Sequence, residues 1–300
     1  MVTLRQLRYL EALADALHFG HAAEACAVTQ PALSMQIKEL EAELQVSLAE
    51  RRRSGIELTE QGEEIVRRGR TILASVRDLL DYAKHRERVL SGSLKLGAIP
   101  SIAPYLLPAA LPELQRRFPE LNLQLRETIT ETLVRELIGG ELDLILMALP
   151  IEEAEVETTY LFDDKFVLAA QATKERRPQT ATPDLLTHER LLLLEEGHCL
   201  RDQALSFCRL VTPEARESFG ASSLATIVQM VAHGYGITLL PEMAVESEVH
   251  DRSDIRLLRF AAPEPKREIG LAWRQTSPRK ADFMAFAELI KDVVARSRQV

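Results

Sequence analysis

The 300-residue sequence has little cysteine and no long apolar run. It contains three cysteines, Cys26, Cys199 and Cys208. An odd, sparse set does not fit the disulfide framework of a secreted domain, so any disulfide here should be conditional. The chain lacks a stretch of about eighteen apolar residues that would span a bilayer, and its amino terminus lacks the features of a signal peptide. We therefore expect a cytoplasmic protein that makes no use of a membrane, and this excludes an exported solute-binding protein.

The sequence also has too few basic residues for broad binding to polyanions. Its net charge is -8, from 37 Lys and Arg against 45 Asp and Glu. Residues 1–89 carry 13 basic and 14 acidic residues, a net charge of -1, which leaves 24 against 31, or -7, for the rest. Any DNA binding must therefore depend on a few well-placed cations rather than on overall charge.

What is present begins with helical periodicity near the amino terminus. A hydrophobic content of 46% in a chain of this length predicts two folded units. Apolar residues recur at helical spacing over residues 4–25 and again over 31–44, with a short turn at 26–29 between them. Thr29 suits an N-cap, and Pro31 suits a first helical turn. This pattern predicts a helix-turn-helix.

A predicted wing and a long helix follow the helix-turn-helix. The basic run 51–53, a Ser-Gly turn and the β-capable residues 56–59 predict two short strands. The next helix should cover residues 60–90, with Gly69 as a gap in its apolar row. That row is spaced for a paired-helix seam and consists of Ile65, Ile72, Val76, Leu79 and Ala83. The alternative is a helix that packs on its own domain.

The remainder of the sequence alternates between strand and helix patterns. Residues 91–93 break the long helix, as a hinge between units would. The predicted strands are 94–99, 121–127, 142–147, 166–170, 191–194, 237–240 and 269–273, and the predicted helices are 102–118, 131–138, 200–209, 222–233 and 279–295. Such alternation predicts an α/β domain with a mostly parallel sheet.

The second helix of the motif presents polar residues where a recognition helix meets DNA. Its first exposed positions reach base edges in the major groove, whereas cations in a wing contact phosphates. The residues expected to bind DNA are Gln30, Pro31, Ser34, Gln36, Lys38, Arg51, Arg52 and Arg53. Taken without further context, the same residues are also compatible with a solvated helix face and a charged loop.

The segment around Cys199 has the pattern of a reactive thiol. Cys199 should lie at the amino end of a helix, where free N–H groups favour a thiolate. His198 and Arg201 can add positive charge. A thiolate of this kind attacks peroxide to give a sulfenic acid, with which a second thiol can condense. Cys208 is the one other cysteine of this domain.

The spacing of this pair would couple oxidation to a change in conformation. Nine helical residues separate two α-carbons by about 13 Å, whereas a disulfide needs about 4.4 to 6.8 Å. A bond between Cys199 and Cys208 would therefore unwind their helix. The alternative is that both are core cysteines on an ordinary helix.

Four short words of the sequence stand in the order and spacing of LysR-type regulators. They are Ala22-Ala23, Thr29-Gln30-Pro31-Ala32-Leu33-Ser34, Ile37-Lys38-Glu39-Leu40-Glu41 and Leu58-Thr59-Glu60-Gln61-Gly62. The chain resembles this family throughout, but Met35, Gln45 and Ala49 depart from its usual arginine, glycine and phenylalanine. The departures put the wing packing and the operator sequence in question rather than the motif.

The resemblance implies an N-terminal winged helix-turn-helix, a long linker helix and a regulatory domain with a two-subdomain fold like that of periplasmic binding proteins. The expected divisions are 1–59 for DNA binding, 60–90 for dimerisation and 91–300 for sensing, with subdomain I at approximately 91–163 and 269–300 and subdomain II at approximately 164–268. The partners implied are double-stranded promoter DNA, further copies of the chain in a dimer or tetramer, and RNA polymerase.

A second resemblance concerns the sensor segment. Residues 197–204 and 207–208 are similar to the corresponding segment of peroxide-responsive LysR-type regulators. This implies that Cys199 is the peroxidatic residue and Cys208 its resolving partner, with hydrogen peroxide as the signal. The pocket around Cys199 is expected to contain Ser101, Thr130, His198, Arg201 and Arg267.

The expected function is therefore that of a peroxide-sensing regulator of oxidative-stress genes, without enzymatic activity, cofactor or metal. One alternative keeps the regulator but has it bind a small organic acid in the cleft through Ser101 and Thr130. Another is a thiol peroxidase, which would have little use for a DNA-reading head.

Overall fold

The computed structural model describes residues 1–52, 55–84, 89–172, 180–181, 190–207, 220–250 and 252–297. The chain divides into two compact units. The first comprises Met1–Arg86 with Glu136–Glu141 and Thr276–Arg279, and the second comprises the remainder. Within the described ranges, no helix is both long and apolar enough to cross a membrane.

The first unit contains the helix-turn-helix and its wing. Its elements are α1 (Leu4–Ala16), α2 (Phe19–Ala25), α3 (Gln30–Leu44), β1 (Ala49–Arg52), β2 (Gly55–Leu58) and α4 (Glu60–Lys84). The single helical stretch predicted over 4–25 is wrong, because Leu17 adopts a left-handed φ of 45° and ends α1. His18 then caps α2 with its Nδ1. Thr29 precedes α3 as predicted but makes no side-chain capping bond.

The core of this unit is small and holds the recognition helix by one face. Leu33, Ile37 and Leu40 are buried on α3, at the spacing that places them on one side of a helix. The wing strands pair antiparallel, with Ala49 opposite Leu58. Ala49, which stands where the family usually has phenylalanine, is partly buried against the core. A small side chain therefore takes the place of a large one in the packing of the wing.

The linker helix α4 has one face on the core and an apolar row on its exposed side. Ile65, the first residue of the predicted seam, is partly buried and packs against the helix-turn-helix core. Ile72 is 48% exposed and Leu79 is 66% exposed. Large apolar side chains in this position are available to a partner helix.

The second unit is α/β. Its strands are β3 (Gly92–Ala98), β4 (Leu121–Glu127), β5 (Leu144–Leu149), β6 (Val156–Gln171), β7 (Thr180–Ala181), β8 (Leu193–Leu194), β9 (Gly220–Ala221), β10 (Thr238–Pro241), β11 (Ile255–Phe260) and β12 (Lys266–Arg274). Its helices are α5 (Ala103–Arg117), α6 (Thr130–Ile138), α7 (Cys199–Phe207), α8 (Leu224–Ala232), α9 (Glu242–Val249) and α10 (Lys280–Ser297).

The main sheet is mixed, and the prediction of a mostly parallel sheet is wrong. Among the described strands the order is β4-β3-β5-β12-β6-β11-β7, and β10 also pairs with β6. β3 is parallel to β4 and β5, whereas β12 runs antiparallel to both β5 and β6. The reason is that β12 brings the chain back from the second half of the domain and inserts between two strands that run the other way.

Candidate functional site

The exposed side of α3 carries the residues predicted to read DNA. Gln30, Pro31 and Lys38 are exposed, and Ser34 is half-buried. Met35 lies among them with 55% of its surface exposed. These residues lie outside the buried row of the helix, where a recognition helix can present side chains to the major groove.

The other residues predicted to bind DNA are Gln36 and the wing arginines. The Gln36 Nε2 donates a hydrogen bond to Glu39 Oε2 at 2.5 Å, which holds the amide against its own helix. Arg51 and Arg52 belong to wing strand β1. Arg53 lies outside the described residues.

Cys199 is the first residue of α7, after a tight turn that requires glycine. Gly197 has a φ of +90°, which a residue with a β-carbon rarely adopts. A β-carbon there would lie 3.1 Å from Ile129 Cδ1, so the turn before α7 packs closely against the turn before α6. This packing brings Thr130, the first residue of α6, to the thiol.

The environment of Cys199 raises the pKa of its thiol. Burial is the largest cause, whereas the Thr130 hydroxyl, the charge of Arg267 and the backbone N–H of Leu200 lower that pKa. The helix start therefore acts in the predicted direction, but desolvation outweighs it. The expectation of a favoured thiolate is wrong for this conformation, and the thiol is free.

Of the two residues expected to add positive charge, His198 does not supply it. Burial lowers the pKa of His198, so its imidazole is neutral at pH 7. The Arg201 Nη1 donates to the backbone carbonyl of Leu194 at 3.1 Å. Both residues flank Cys199 in the chain, but the cation that acts on the thiol is Arg267.

Arg267 is buried, with 3% of its surface exposed, and every part of its guanidinium is bound. Its Nε donates to Asp164 Oδ2 at 2.9 Å. Its Nη1 donates to Ser101 Oγ at 2.8 Å, and its Nη2 donates to the Ser101 carbonyl at 2.9 Å. Ser101 thus contributes to this site by holding the cation, as well as by presenting a hydroxyl.

The site contains a residue that sequence reasoning missed. Asp164 is 3% exposed and lies opposite Arg267 across the pair of strands β6 and β12. Its second oxygen, Oδ1, accepts a hydrogen bond from the backbone of Met243 at 3.1 Å. A pair of adjacent aspartates inside a strand was the available signal, since alternation places one of the two on the inner face.

Comparison with known proteins agrees with both units. Residues 4–63 match the family described as bacterial regulatory helix-turn-helix protein, lysR family, and residues 87–295 match the LysR substrate binding domain. The chain belongs to the LysR family. The predicted fold class, a winged helix-turn-helix followed by a LysR-type α/β domain, is thereby confirmed.

Within the LysR family the chain is similar to OxyR proteins over nearly its whole length. It is 40% identical to the DNA-binding transcriptional dual regulator OxyR of Escherichia coli strain K12 over 291 residues, which is 97% of this chain and 95% of that protein. A full-length cysteine-to-aspartate variant of OxyR from Pseudomonas aeruginosa has a TM-score of 0.80 at 40% identity, with 97% of this chain and 95% of that chain covered. A hydrogen peroxide-bound cysteine-to-serine variant of OxyR from Corynebacterium glutamicum has a TM-score of 0.68 at 32% identity, with coverages of 98% and 93%.

The structure also explains one departure from the LysR pattern. Gln45 ends α3 with a left-handed φ of 56°, the region that a glycine adopts without steric cost. The usual glycine of the family suits this backbone, and glutamine holds it with local strain.

The Thr130 hydroxyl gives a first testable prediction. Within the described residues its Oγ1 is buried without a hydrogen-bond partner of normal geometry, although it lowers the pKa of Cys199. Thr130→Val should therefore raise the pKa of the Cys199 thiol and slow its alkylation at pH 7 several-fold. The free energy of unfolding should change by less than about 1 kcal/mol, because valine keeps the shape of the side chain and only a weak contact of the hydroxyl with the sulfur is lost.

The control for this prediction is Thr132→Val, on the same helix and partly exposed. Peptide mass analysis after timed alkylation measures the rate at Cys199 itself. Equal rates in the Thr130→Val variant and the parent would show that the hydroxyl does not act on the sulfur.

Proposed function

We propose that this LysR-family protein is a DNA-binding transcriptional regulator that senses hydrogen peroxide through Cys199. The observation that carries the proposal is the setting of that thiol: a half-buried cysteine at a helix start, beside the Thr130 hydroxyl and subject to the charge of a buried arginine. The Thr130 oxygen makes no other hydrogen bond within the described part of the chain, so it can offer one to a small polar molecule at the sulfur. Peroxide has the size and the donor and acceptor groups for that position.

The chemistry proposed is a two-electron oxidation. Cys199 sulfur attacks one peroxide oxygen, so that an S–O bond forms and the O–O bond breaks. The departing oxygen takes up the proton lost by the thiol and leaves as water. The sulfenic acid then condenses with the thiol of Cys208, which forms the S–S bond and releases a second water.

The second step has a structural cost that makes it a switch. Cys199 and Phe207 are the two ends of α7, which places them about 12 Å apart at the ordinary rise of a helix. Cys208 lies outside the described residues, but it is the chain neighbour of Phe207. A disulfide between α-carbons separated by about 4.4 to 6.8 Å requires at least the end of α7 to unwind.

Unwinding α7 would disturb packing in the domain core. Leu200 and Ala204 are buried on this helix. Phe207 makes an edge-to-face contact with Phe260 on β11, with ring centroids 5.2 Å apart. Unwinding would remove this aromatic contact and expose the buried apolar side chains at the same time. The oxidised chain must therefore pack these side chains differently.

The proposed partners are promoter DNA, RNA polymerase and further copies of the chain. The exposed apolar row of α4 supports a homodimer, and a tetramer is the larger assembly proposed for this family member. The proposed domain boundaries remain 1–59 for DNA binding, 60–90 for dimerisation and 91–300 for sensing.

The residues proposed to contact DNA belong to α3 and to the wing. Those of α3 contact bases and backbone and are Gln30, Pro31, Ser34, Gln36 and Lys38. Those of the wing contact phosphates and are Arg51, Arg52 and Arg53.

The experiment that tests this function is a pair of footprints. Two samples of the full-length protein, one reduced and one treated with peroxide, are bound to DNA selected from a random pool. The protected bases are then mapped for each sample. We expect a changed boundary after peroxide and its reversal by a thiol reductant. An identical footprint in both states would favour a regulator that responds to a bound organic ligand.

A regulator and a thiol peroxidase differ in turnover. We propose that each protomer consumes peroxide once and then stays oxidised until it is reduced. Continuous rapid consumption of peroxide in the presence of a small thiol reductant would contradict the assignment as a non-enzyme.

A further inference from the structure

A buried ion pair contributes to the charge that acts on Cys199. Arg267 lowers the pKa of Cys199, yet its guanidinium is paired with the carboxylate of Asp164, and the two side chains are 1% and 3% exposed. A compensated pair inside a protein acts at a distance as a dipole, whereas an unpaired cation acts as a full charge.

The position of Arg267 does not depend on Asp164 alone. Both Nη groups donate to Ser101, and Nη2 also lies 3.5 Å from the Met243 sulfur. Asp164 is fixed in turn by the Met243 backbone. Neutralising the carboxylate while keeping its shape therefore leaves the cation largely where it is and removes its counter-charge.

We propose that Asp164 is a positioning residue for the peroxide reaction: it acts through Arg267, whose charge it screens from the Cys199 sulfur, and so sets the peroxide dose at which the thiol reacts. This inference rests on the proposed function. The charges that shift the pKa of Cys199 are those of Arg267 from β12 and Asp202 from α7 itself, and His198 and Arg201 are its neighbours in the chain. Asp164 additionally experiences the charge of Glu242 on α9.

The direct test is Asp164→Asn in the full-length protein. Removing the negative charge favours the thiolate, so the pH profile of Cys199 alkylation should shift to lower pH by about one unit. This corresponds to about tenfold faster alkylation at pH 7. Half-maximal oxidation should also need about tenfold less peroxide.

The chain offers a matched control in the adjacent residue. Asp163 also pairs with a cation of β12, Lys266, at 2.7 Å, but the side chains are 33% and 49% exposed. Asp163→Asn removes the same charge one residue away, where water screens it, and should leave the profile unchanged. An unshifted Asp164→Asn profile, or equal shifts in both variants, would overturn the inference.

A double variant covers the case in which Asp164→Asn alone does not fold. Asp164→Asn combined with Arg267→Gln removes both charges, a replacement that buried ion pairs often tolerate. If the two charges cancel at the sulfur, the double variant should keep the parent's profile. A thiol pKa raised by a unit or more would mean that Arg267 acts unscreened, against the proposal.

The alkylation profiles are measured with iodoacetamide and need no peroxide. The role of Asp164 and the proposed function can therefore be contradicted independently of each other. A parent chain that forms no Cys199–Cys208 disulfide with peroxide contradicts the proposed function. An unshifted Asp164→Asn profile in a chain that does form the disulfide contradicts only the role of Asp164.

Discussion

Replacing Cys199 by serine should abolish the whole low-dose response to peroxide. A serine hydroxyl at the start of α7 cannot form a sulfenic acid or a disulfide, so neither step of the proposed switch can occur. We expect the Cys199→Ser protein to bind DNA with the footprint of the reduced parent, before and after peroxide. Footprints of parent and variant, treated side by side, measure this.

The matched control is Cys26→Ser. Cys26 is also a free thiol and is partly buried against the core of the helix-turn-helix, and burial raises its pKa as well. Because it belongs to the first unit and has no part in the proposed chemistry, its replacement should leave the peroxide response intact. A response that survives Cys199→Ser but not Cys26→Ser would move the sensor to the DNA-binding unit.

Gly62→Ala should destabilise the winged helix-turn-helix by about 3 kcal/mol or more, at the upper end of the cost of overpacking. A β-carbon at Gly62 would overlap the backbone carbonyl oxygen of Leu48 and lie 2.9 Å from the carbonyl carbon. Backbone atoms cannot move aside as a flexible side chain can, so α4 and the start of the wing must separate. We expect a lower melting temperature and greatly weakened DNA binding.

Gly69 in the same helix provides the control, because replacing it by alanine should not lower the stability of the unit. A β-carbon there would lie 3.5 Å from Leu7 Cδ2, an ordinary contact. Since alanine favours a helix over glycine by about 0.5 to 1 kcal/mol, Gly69→Ala should be neutral or stabilising. A Gly62→Ala protein as stable as Gly69→Ala would contradict the described packing of α4 on Leu48.

The sequence was most informative where local pattern decides structure. Helical spacing placed α3 to within a residue, and the turn before residue 56 correctly indicated the wing. Cys199 was correctly placed at the start of a helix, because a helix boundary is a local property of the sequence. The break at Leu17 was missed because the apolar periodicity continues across it.

Properties that depend on distant parts of the chain were not predictable in this way. The order and direction of β12 follow from how the chain returns to the sheet, which no window of sequence contains. The direction of the pKa shift at Cys199 was misjudged, because the desolvation that raises this pKa is set by the whole surrounding domain. Asp164 was overlooked for the same reason, since its partner Arg267 lies 103 residues away.

The most direct test of the account is to map the thiols after low-dose peroxide. The reduced full-length protein is treated with about one equivalent of hydrogen peroxide per protomer, alkylated and digested, and the peptides are weighed. We predict that Cys26 is alkylated while Cys199 and Cys208 are recovered as one disulfide-linked peptide pair. Recovery of both Cys199 and Cys208 as alkylated thiols would contradict the central claim that this chain is switched by peroxide.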